Sequence, residues 1–176
     1  NTPGANANAV KEMVICSLIL SKRDLVSGNK NLDSIDTENL NDEEISKKIE
    51  NMKKEFVGEE IRGKKLSIIG LGAIGSMVAE QAINLGMKVK AYDPGLTVDV
   101  ALGLPSSLEK CDSMESCLEE ADYVSLHIPL NSSTEGIINK DKLTLLNEDS
   151  VVINFSRGGI VHEQDLIDQL ENGSLL

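Results

Sequence analysis

Three closely spaced glycines follow a short apolar run in this sequence. Gly70, Gly72 and Gly75 come directly after residues 66–69, which is the pattern of a strand that turns sharply into a helix. Gly70 would allow the tight turn, Gly72 would leave room for a phosphate beside the backbone, and Gly75 would let the helix pack close to the strand. The free N–H groups and positive dipole end of such a helix favour phosphate charge. The spacing therefore predicts a dinucleotide-binding turn.

An acidic residue after the next predicted strand indicates which dinucleotide binds. Asp93 follows residues 88–92 and precedes the chain-turning pair Pro94-Gly95. A carboxylate there can accept both hydroxyls of an adenosine ribose and repels a 2′-phosphate, and no Arg or Lys follows closely to neutralise one. NAD is therefore favoured over NADP. The alternative is that Asp93 only starts a turn before proline.

From residue 65 onward, apolar runs alternate with helical patterns. This alternation predicts an α/β protein with a doubly wound parallel sheet, the Rossmann fold, in which ligands bind at the carboxyl ends of the strands. We expect strands at 66–69, 88–92, 108–111, 123–128 and 151–155, and helices at 74–85, 114–120, 140–146 and 163–172.

The first sixty residues have a different pattern. Residues 8–20 predict a helix that is apolar on more than one face and needs cover from a second domain, a second subunit or its own domain. Asn41 and Glu44 form a capping-box pattern that opens an amphipathic surface helix, which Gly58 would end. The polar stretch 27–42 is predicted to be a loop.

The composition disfavours several classes of partner. A formal net charge of −12 over 176 residues opposes binding to nucleic acids and anionic membranes. Two Phe, two Tyr and no Trp make a stacking platform for single strands improbable. The three cysteines have no metal-ligand spacing, so we expect no metal site, and their odd number does not suggest a disulfide framework. A reducing cytoplasm is the expected compartment.

Two further predicted strands end in residues with chemical potential. His127 follows one of them, and a histidine in that position is more often structural than catalytic. Arg157 follows another, beside Gly158-Gly159, which permit close approach of a ligand. A guanidinium there is suited to binding a substrate carboxylate through two hydrogen bonds and to polarising a carbonyl. An exposed arginine without a role is the alternative.

Five motifs occur in a fixed order along the chain. They are Asn-Thr-Pro-Gly at 1–4 with Asn6, Val10 and Glu12, Gly-Leu-Gly-Ala-Ile-Gly at 70–75, Tyr92-Asp93-Pro94, His127-Ile128-Pro129-Leu130 with Thr134, and Asn-Phe-Ser-Arg-Gly-Gly-Ile-Val at 154–161. With these motifs the chain closely resembles the cofactor-binding domain of the D-2-hydroxyacid dehydrogenases. The resemblance is weakest through residues 21–60.

The resemblance implies roles for individual residues. Ala73 and Ile74 would present backbone to the pyrophosphate, and Asp93 would hold the ribose. Arg157 would be the catalytic arginine that orients the substrate, and Asn6 would lie near the substrate. The adenine side would be lined by His127, Ile128, Pro129 and Thr134, and the nicotinamide would be approached by Phe155, Ser156 and Arg157.

The sequence also departs from the family pattern. The catalytic histidine, its assisting glutamate and the aspartate that fixes the nicotinamide amide would lie beyond Leu176, and most of the substrate-domain half would precede Asn1. His162 cannot replace that histidine and is interpreted as a helix-start residue. Ala73 stands where many relatives carry a basic residue. The ends, Asn1 in place of Met and Leu175-Leu176 after a turn signal, resemble those of a fragment.

We therefore expect residues 1–176 to be an NAD-binding domain fragment, with an interdomain or dimer helix at 1–20 and a Rossmann core at 65–176. The parent would be an NAD-dependent oxidoreductase of 2-hydroxy acids, and the family resemblance implies a homodimer. Two alternatives stay open. One is an NAD-sensing corepressor related to these dehydrogenases, and the other is a Rossmann domain for another adenosyl ligand such as S-adenosylmethionine, which the complete pyrophosphate turn disfavours.

Overall fold

The computed structural model describes residues 5–37 and 39–173. The motif at residues 1–4 and the apolar pair Leu175-Leu176 lie outside the described residues. The chain forms two compact units, one of Asn1–Ser17 with Ile61–Leu176 and one of Leu18–Glu60. Helix α1 (Ala7–Leu20) belongs to both units and confirms the helix predicted at 8–20. Val14 and Leu18 on α1 are fully buried, whereas Met13 is 52% exposed.

The smaller unit contains α2 (Leu25–Asp33) and α3 (Asp42–Glu55). The prediction of a loop over 27–42 is wrong for its first part, because α2 occupies it. Asp24 caps α2 by accepting the Ser27 N–H at 3.0 Å. A Cβ on Gly28 would lie 3.4 Å from the Phe56 ring, so a glycine that weakens a helix in isolation here allows close approach to an aromatic side chain. Tertiary packing therefore outweighs the polar composition of this segment.

Helix α3 begins and ends as its sequence predicts. The Asn41 side chain accepts the Glu44 N–H, and the Glu44 carboxylate accepts the Asn41 N–H, each at 3.0 Å, which confirms the capping box. After the helix, Gly58 has a φ of +61°, and a Cβ there would collide with the backbone oxygen of Lys22. Apolar side chains of α2 and α3 line a groove of about 260 Å³ within this unit.

The larger unit is built on a parallel sheet. Within the described residues this sheet has five strands in the order β3-β2-β1-β4-β5, which confirms the doubly wound α/β fold. The third strand, predicted at 108–111, is only two residues long. The strands are β1 (Lys65–Ile69), β2 (Lys88–Tyr92), β3 (Glu109–Lys110), β4 (Tyr123–Leu126) and β5 (Val151–Asn154).

Helices connect these strands and cover the sheet. The four predicted helices are present, and a short additional helix, α5, follows β2. On one face, Ile69, Val124 and Leu126 pack in a core with α6 and α7. Every residue of β1 after Lys65 is buried, as expected for a central parallel strand. The helices are α4 (Ala73–Asn84), α5 (Val98–Leu102), α6 (Met114–Leu118), α7 (Lys140–Leu143) and α8 (Glu163–Glu171).

None of the helices in the described part of the chain is long and apolar enough to cross a membrane.

Candidate dinucleotide site

Four strands end at the same level of the sheet. Ile69 of β1 is paired with Tyr92 of β2 and with Leu126 of β4, and Leu126 is paired with Asn154 of β5. The residues that follow these strands therefore emerge at one edge. The chain builds outward from β1 through β2 to β3 and then crosses to β4 on the other side of β1, so the switch point of the sheet lies between β1 and β4. Ligands of doubly wound proteins bind at this switch point, outside the carboxyl ends of the strands.

The three glycines have the steric properties that their spacing predicts. Gly70 has a φ of +96°, and a Cβ there would lie 2.7 Å from the backbone oxygen of His127. A Cβ on Gly75 would collide with the backbone oxygen of Gly70. A Cβ on Gly72 would meet nothing within 4 Å. Gly70 and Gly75 are thus required by the fold itself, whereas Gly72 faces open space where a phosphate group can approach the backbone.

The start of α4 can receive negative charge. Gly72 is the N-cap residue and has no side chain to accept the N–H groups of the first turn, and that turn carries no acidic residue. Ala73 and Ile74 lie in the first turn, where backbone N–H groups have no acceptor inside the helix. Ala73 adds no basic group, so a bound pyrophosphate would be held by backbone N–H groups and the helix dipole.

Asp93 is tied to the glycine turn by its carboxylate. One carboxylate oxygen accepts the Leu71 N–H at 2.7 Å, and the other accepts the Gly95 N–H at 2.8 Å. Each ionised carboxylate oxygen has a second lone pair, so both remain able to accept a ribose hydroxyl. The predicted ribose role and the turn-forming alternative are therefore compatible, because the Gly95 bond is a turn contact. The carboxylate is therefore held in place by backbone N–H groups of the protein itself.

The His127 ring faces the interior of the fold. Its Nε2 lies 2.8 Å from the hydroxyl of the fully buried Ser125, and its Cβ would be 3.5 Å from a Cβ on Gly75. Burial lowers the pKa of His127 to about 4, so the ring is neutral near pH 7. Ser125, which the sequence analysis missed, lies two residues earlier on the same face of the strand. The His127 side chain therefore packs against the glycine turn from the interior of the fold.

The loop after β4 is held by hydrogen bonds within the loop. Thr134 donates its hydroxyl to the Pro129 carbonyl at 2.6 Å and accepts the Asn131 N–H at 2.9 Å. Ile128 lies against the glycine turn, since a Cβ added to Gly70 would be only 2.9 Å from the Ile128 Cγ2. Contact of residues 127–129 and Thr134 with an adenine ring stays a prediction.

The remaining predicted site residues lie on exposed segments. Phe155 is 42% exposed, and the exposed Arg157 guanidinium donates to the Ser156 carbonyl at 2.7 Å. Asn6 is exposed, and its carbonyl accepts the Val10 N–H at 3.0 Å in the first turn of α1. His162 is the N-cap residue of α8 and accepts the Asp165 N–H, which confirms that it starts a helix. The substrate roles of Asn6 and Arg157 stay predictions.

The geometry defines a dinucleotide-binding α/β domain. Residues 29–176 match the family described as D-isomer specific 2-hydroxyacid dehydrogenase, NAD binding domain. The chain belongs to this family, and NAD is the cofactor of the domain.

Individual relatives agree with this assignment. A hydroxypyruvate reductase of Thermotoga maritima is 31% identical over 99% of the chain and 51% of that protein. A D-3-phosphoglycerate dehydrogenase of Dictyostelium discoideum is 34% identical over 99% of the chain and 38% of that protein. The structure of a D-lactate dehydrogenase with NAD+ from Lactobacillus jensenii is similar with a TM-score of 0.75 and 31% identity, over 99% of the chain and 48% of the other. The chain thus spans about half or less of these proteins.

Two glycine substitutions separate cofactor binding from folding. Gly72→Ala is expected to keep the unfolding free energy within about 1 kcal/mol of the original, because the added Cβ meets no protein atom. It should weaken NAD binding at least about tenfold, because the methyl group occupies the approach of the pyrophosphate. Gly75→Ala should instead lower the unfolding free energy by about 2 kcal/mol or more. Urea unfolding and calorimetric titration with NAD measure both effects. Unchanged NAD affinity in Gly72→Ala would contradict the pyrophosphate assignment.

Acid is expected to destabilise the fold through His127. Its pKa in the folded protein is about 4, below the value of about 6.5 in an unfolded chain. The stabilising contribution of the neutral ring is therefore complete above pH 6.5 and is lost as the pH falls toward 4, by roughly 3 kcal/mol in total. In urea unfolding, the unfolding free energy of His127→Gln should not show this decrease as the pH falls. The control His162→Gln should still show it. Equal pH dependence in the original protein and in His127→Gln would overturn this explanation.

Proposed function

We propose that this chain is the cofactor half of an enzyme that oxidises 3-phosphoglycerate to 3-phosphohydroxypyruvate, the reaction that opens serine synthesis. The observation that carries the cofactor part is the position of Asp93, which is bound to the glycine turn with both carboxylate oxygens directed to backbone N–H groups. The substrate part is supported by the D-3-phosphoglycerate dehydrogenases among the relatives, such as one of Bacillus subtilis that is 41% identical over 67% of the chain. Another D-2-hydroxy acid or an NAD-sensing corepressor is the alternative.

Each part of the site would have a defined task in this reaction. NAD, when bound, accepts hydride from C2 of the substrate. The first turn of α4 would hold the pyrophosphate, and Asp93 would hold the adenosine ribose. Arg157 would bind the substrate carboxylate and orient C2. A histidine, assisted by a glutamate, would take the hydroxyl proton, and the family resemblance implies that both lie outside residues 1–176.

We further propose the arrangement of the intact protein. Residues 1–20 would form an interdomain or dimer helix, residues 65–176 would form the Rossmann core, and two copies would associate as a cytoplasmic homodimer. The exposure of the apolar Met13 side chain on α1 supports an additional covering surface. A light-scattering mass equal to one chain would contradict the dimer.

Cofactor preference tests the role of Asp93. The protein should bind NAD at least about tenfold more tightly than NADP, a difference of roughly 1.4 kcal/mol, because the carboxylate repels a 2′-phosphate. Calorimetric titration with both cofactors measures this ratio, and Asp93→Ala should reduce it. Asp122 provides a matched control because its carboxylate also accepts a backbone N–H, that of Lys65 at 2.7 Å, at the amino end of β1.

The control separates stability from recognition. Asp122→Ala should lower the unfolding free energy without changing the ratio of the NAD and NADP affinities. Asp122 contacts the amino end of β1, whereas the proposed cofactor site lies at its carboxyl end. Equal binding of NAD and NADP by the unaltered protein, or an unchanged ratio in Asp93→Ala, would refute the ribose role.

Turnover should require more than residues 1–176. This segment is expected to bind NAD but to produce no NADH from 3-phosphoglycerate, glycerate or D-lactate, because the family resemblance places the general base, worth about 10² to 10⁴ in rate, outside it. The intact enzyme should form NADH fastest with 3-phosphoglycerate. Absorbance of NADH at matched protein concentration measures both. Substrate-dependent NADH formation by residues 1–176 alone would require His127 or His162 to be reconsidered as a base.

A further inference from the structure

The Arg157 side chain does little to fix the loop in which it lies. Arg157 is exposed, and its guanidinium donates to the neighbouring carbonyl of Ser156. Its backbone is extended, with φ −147° and ψ 143°, and leads into a short 3₁₀ turn at Gly158–Ile160. A side chain that is to meet a substrate needs its backbone fixed by other groups.

Asn154 supplies part of that support from the last position of β5. Its Oδ1 accepts the Ser156 N–H at 3.0 Å, and its Nδ2 donates to the Arg157 carbonyl at 2.7 Å. One amide side chain therefore holds the backbone of the two following loop positions, 156 and 157. Only a group with both a donor and an acceptor can make this pair of bonds.

Ser156 fixes the same loop to the neighbouring strand. Its hydroxyl donates to the Leu126 carbonyl at 2.6 Å, and Leu126 is the last residue of β4 and the partner of Asn154 in the sheet. The loop is thus anchored to β5 by Asn154 and to β4 by Ser156. Both anchors lie at the level where β1 and β2 end.

We infer that Asn154 and Ser156 are positioning residues that hold the Arg157 backbone so that its guanidinium reaches the substrate carboxylate. This inference rests on the proposed function, because it requires Arg157 to act on a substrate. Asn154 acts only through Arg157 in this assignment. Ser156 is in addition predicted to approach the nicotinamide, so Asn154 gives the cleaner test.

A double-mutant cycle in the intact enzyme tests this dependence. We expect Asn154→Ala to lower kcat/KM for 3-phosphoglycerate at least about tenfold, since small displacements of a positioning group cost one to two powers of ten. Calorimetric NAD affinity should change less than about threefold, because the glycine turn and Asp93 are untouched. In an Arg157→Ala background, Asn154→Ala should cause no further loss of kcat/KM. Ser156→Ala should also lower kcat/KM, because the bond to the Leu126 carbonyl is lost, and Ser156→Thr should lower it less because a hydroxyl is retained.

Asn147 provides the matched control. It is also half-buried, and its amide donates to the Glu120 carbonyl at 2.9 Å and to the Asp122 carboxylate at 3.1 Å, near the amino ends of the strands. Asn147→Ala should lower the unfolding free energy by an amount similar to Asn154→Ala without lowering kcat/KM. A stability loss alone therefore cannot reproduce the expected result.

The outcomes distinguish this inference from the proposed function. An inactive Arg157→Ala with a fully active Asn154→Ala would overturn the positioning role and leave the proposed function intact. Additive losses in the double variant would overturn it as well, because they would show that Asn154 acts independently of Arg157. Full activity of Arg157→Ala would overturn the substrate-binding role of Arg157 and the positioning role with it.

Discussion

Two backbone hydrogen bonds beyond the strand ends hold the centre of this site together. The Gly70 N–H donates to the Tyr92 carbonyl at 2.9 Å, and the His127 N–H donates to the Ile69 carbonyl at 2.8 Å. These bonds extend the ladders on both sides of β1 by one step past its last residue. The glycine turn is consequently fixed between β2 and β4, next to Asp93 and His127, which follow these two strands.

The close spacing at this point explains why side chains are small or turned inward. Gly70 and Gly75 leave no room for a methyl group, and the His127 ring packs on Ser125 below the turn. The energetic cost of such a tight turn is offset by the buried strand beneath it, where burial of apolar side chains contributes about 25 cal/mol per Å². Local backbone constraint and global core packing therefore act on the same few residues.

Much of the fold could be predicted from the sequence because periodicity and glycine spacing are local signals. The boundaries of β2 agree with the pattern, and the Asn41–Glu44 capping box is formed as expected. Helix α2 could not be predicted, because its stability depends on contacts such as that between Gly28 and Phe56, which are 28 residues apart in the chain.

The site shows the same division between local and non-local information. The glycine turn and Asp93 are visible as a motif and its partner. The anchoring of Asp93 to the Leu71 N–H, of His127 to Ser125 and of Ser156 to the Leu126 carbonyl depends on the pairing of strands. Residue types alone do not determine such side-chain directions. An Asn two residues before a Ser is, in hindsight, the one local signal for the turn that Asn154 makes.

The central position of β1 also sets the order in which the molecule can open. Amide hydrogens of β1 are flanked by β2 on one side and β4 on the other, whereas β3 and β5 each have one neighbour among the described strands. Local openings of a native protein begin where backbone hydrogen bonds are least covered, so fluctuations at the two outer strands can exchange their amides with solvent while β1 remains closed. The loop after β5 follows an outer strand, so its opening is expected to cost less free energy than opening of the glycine turn. The glycine turn and the loop after β5 line the same crevice. They would then differ in how long they stay closed, and the glycine turn would stay closed longer.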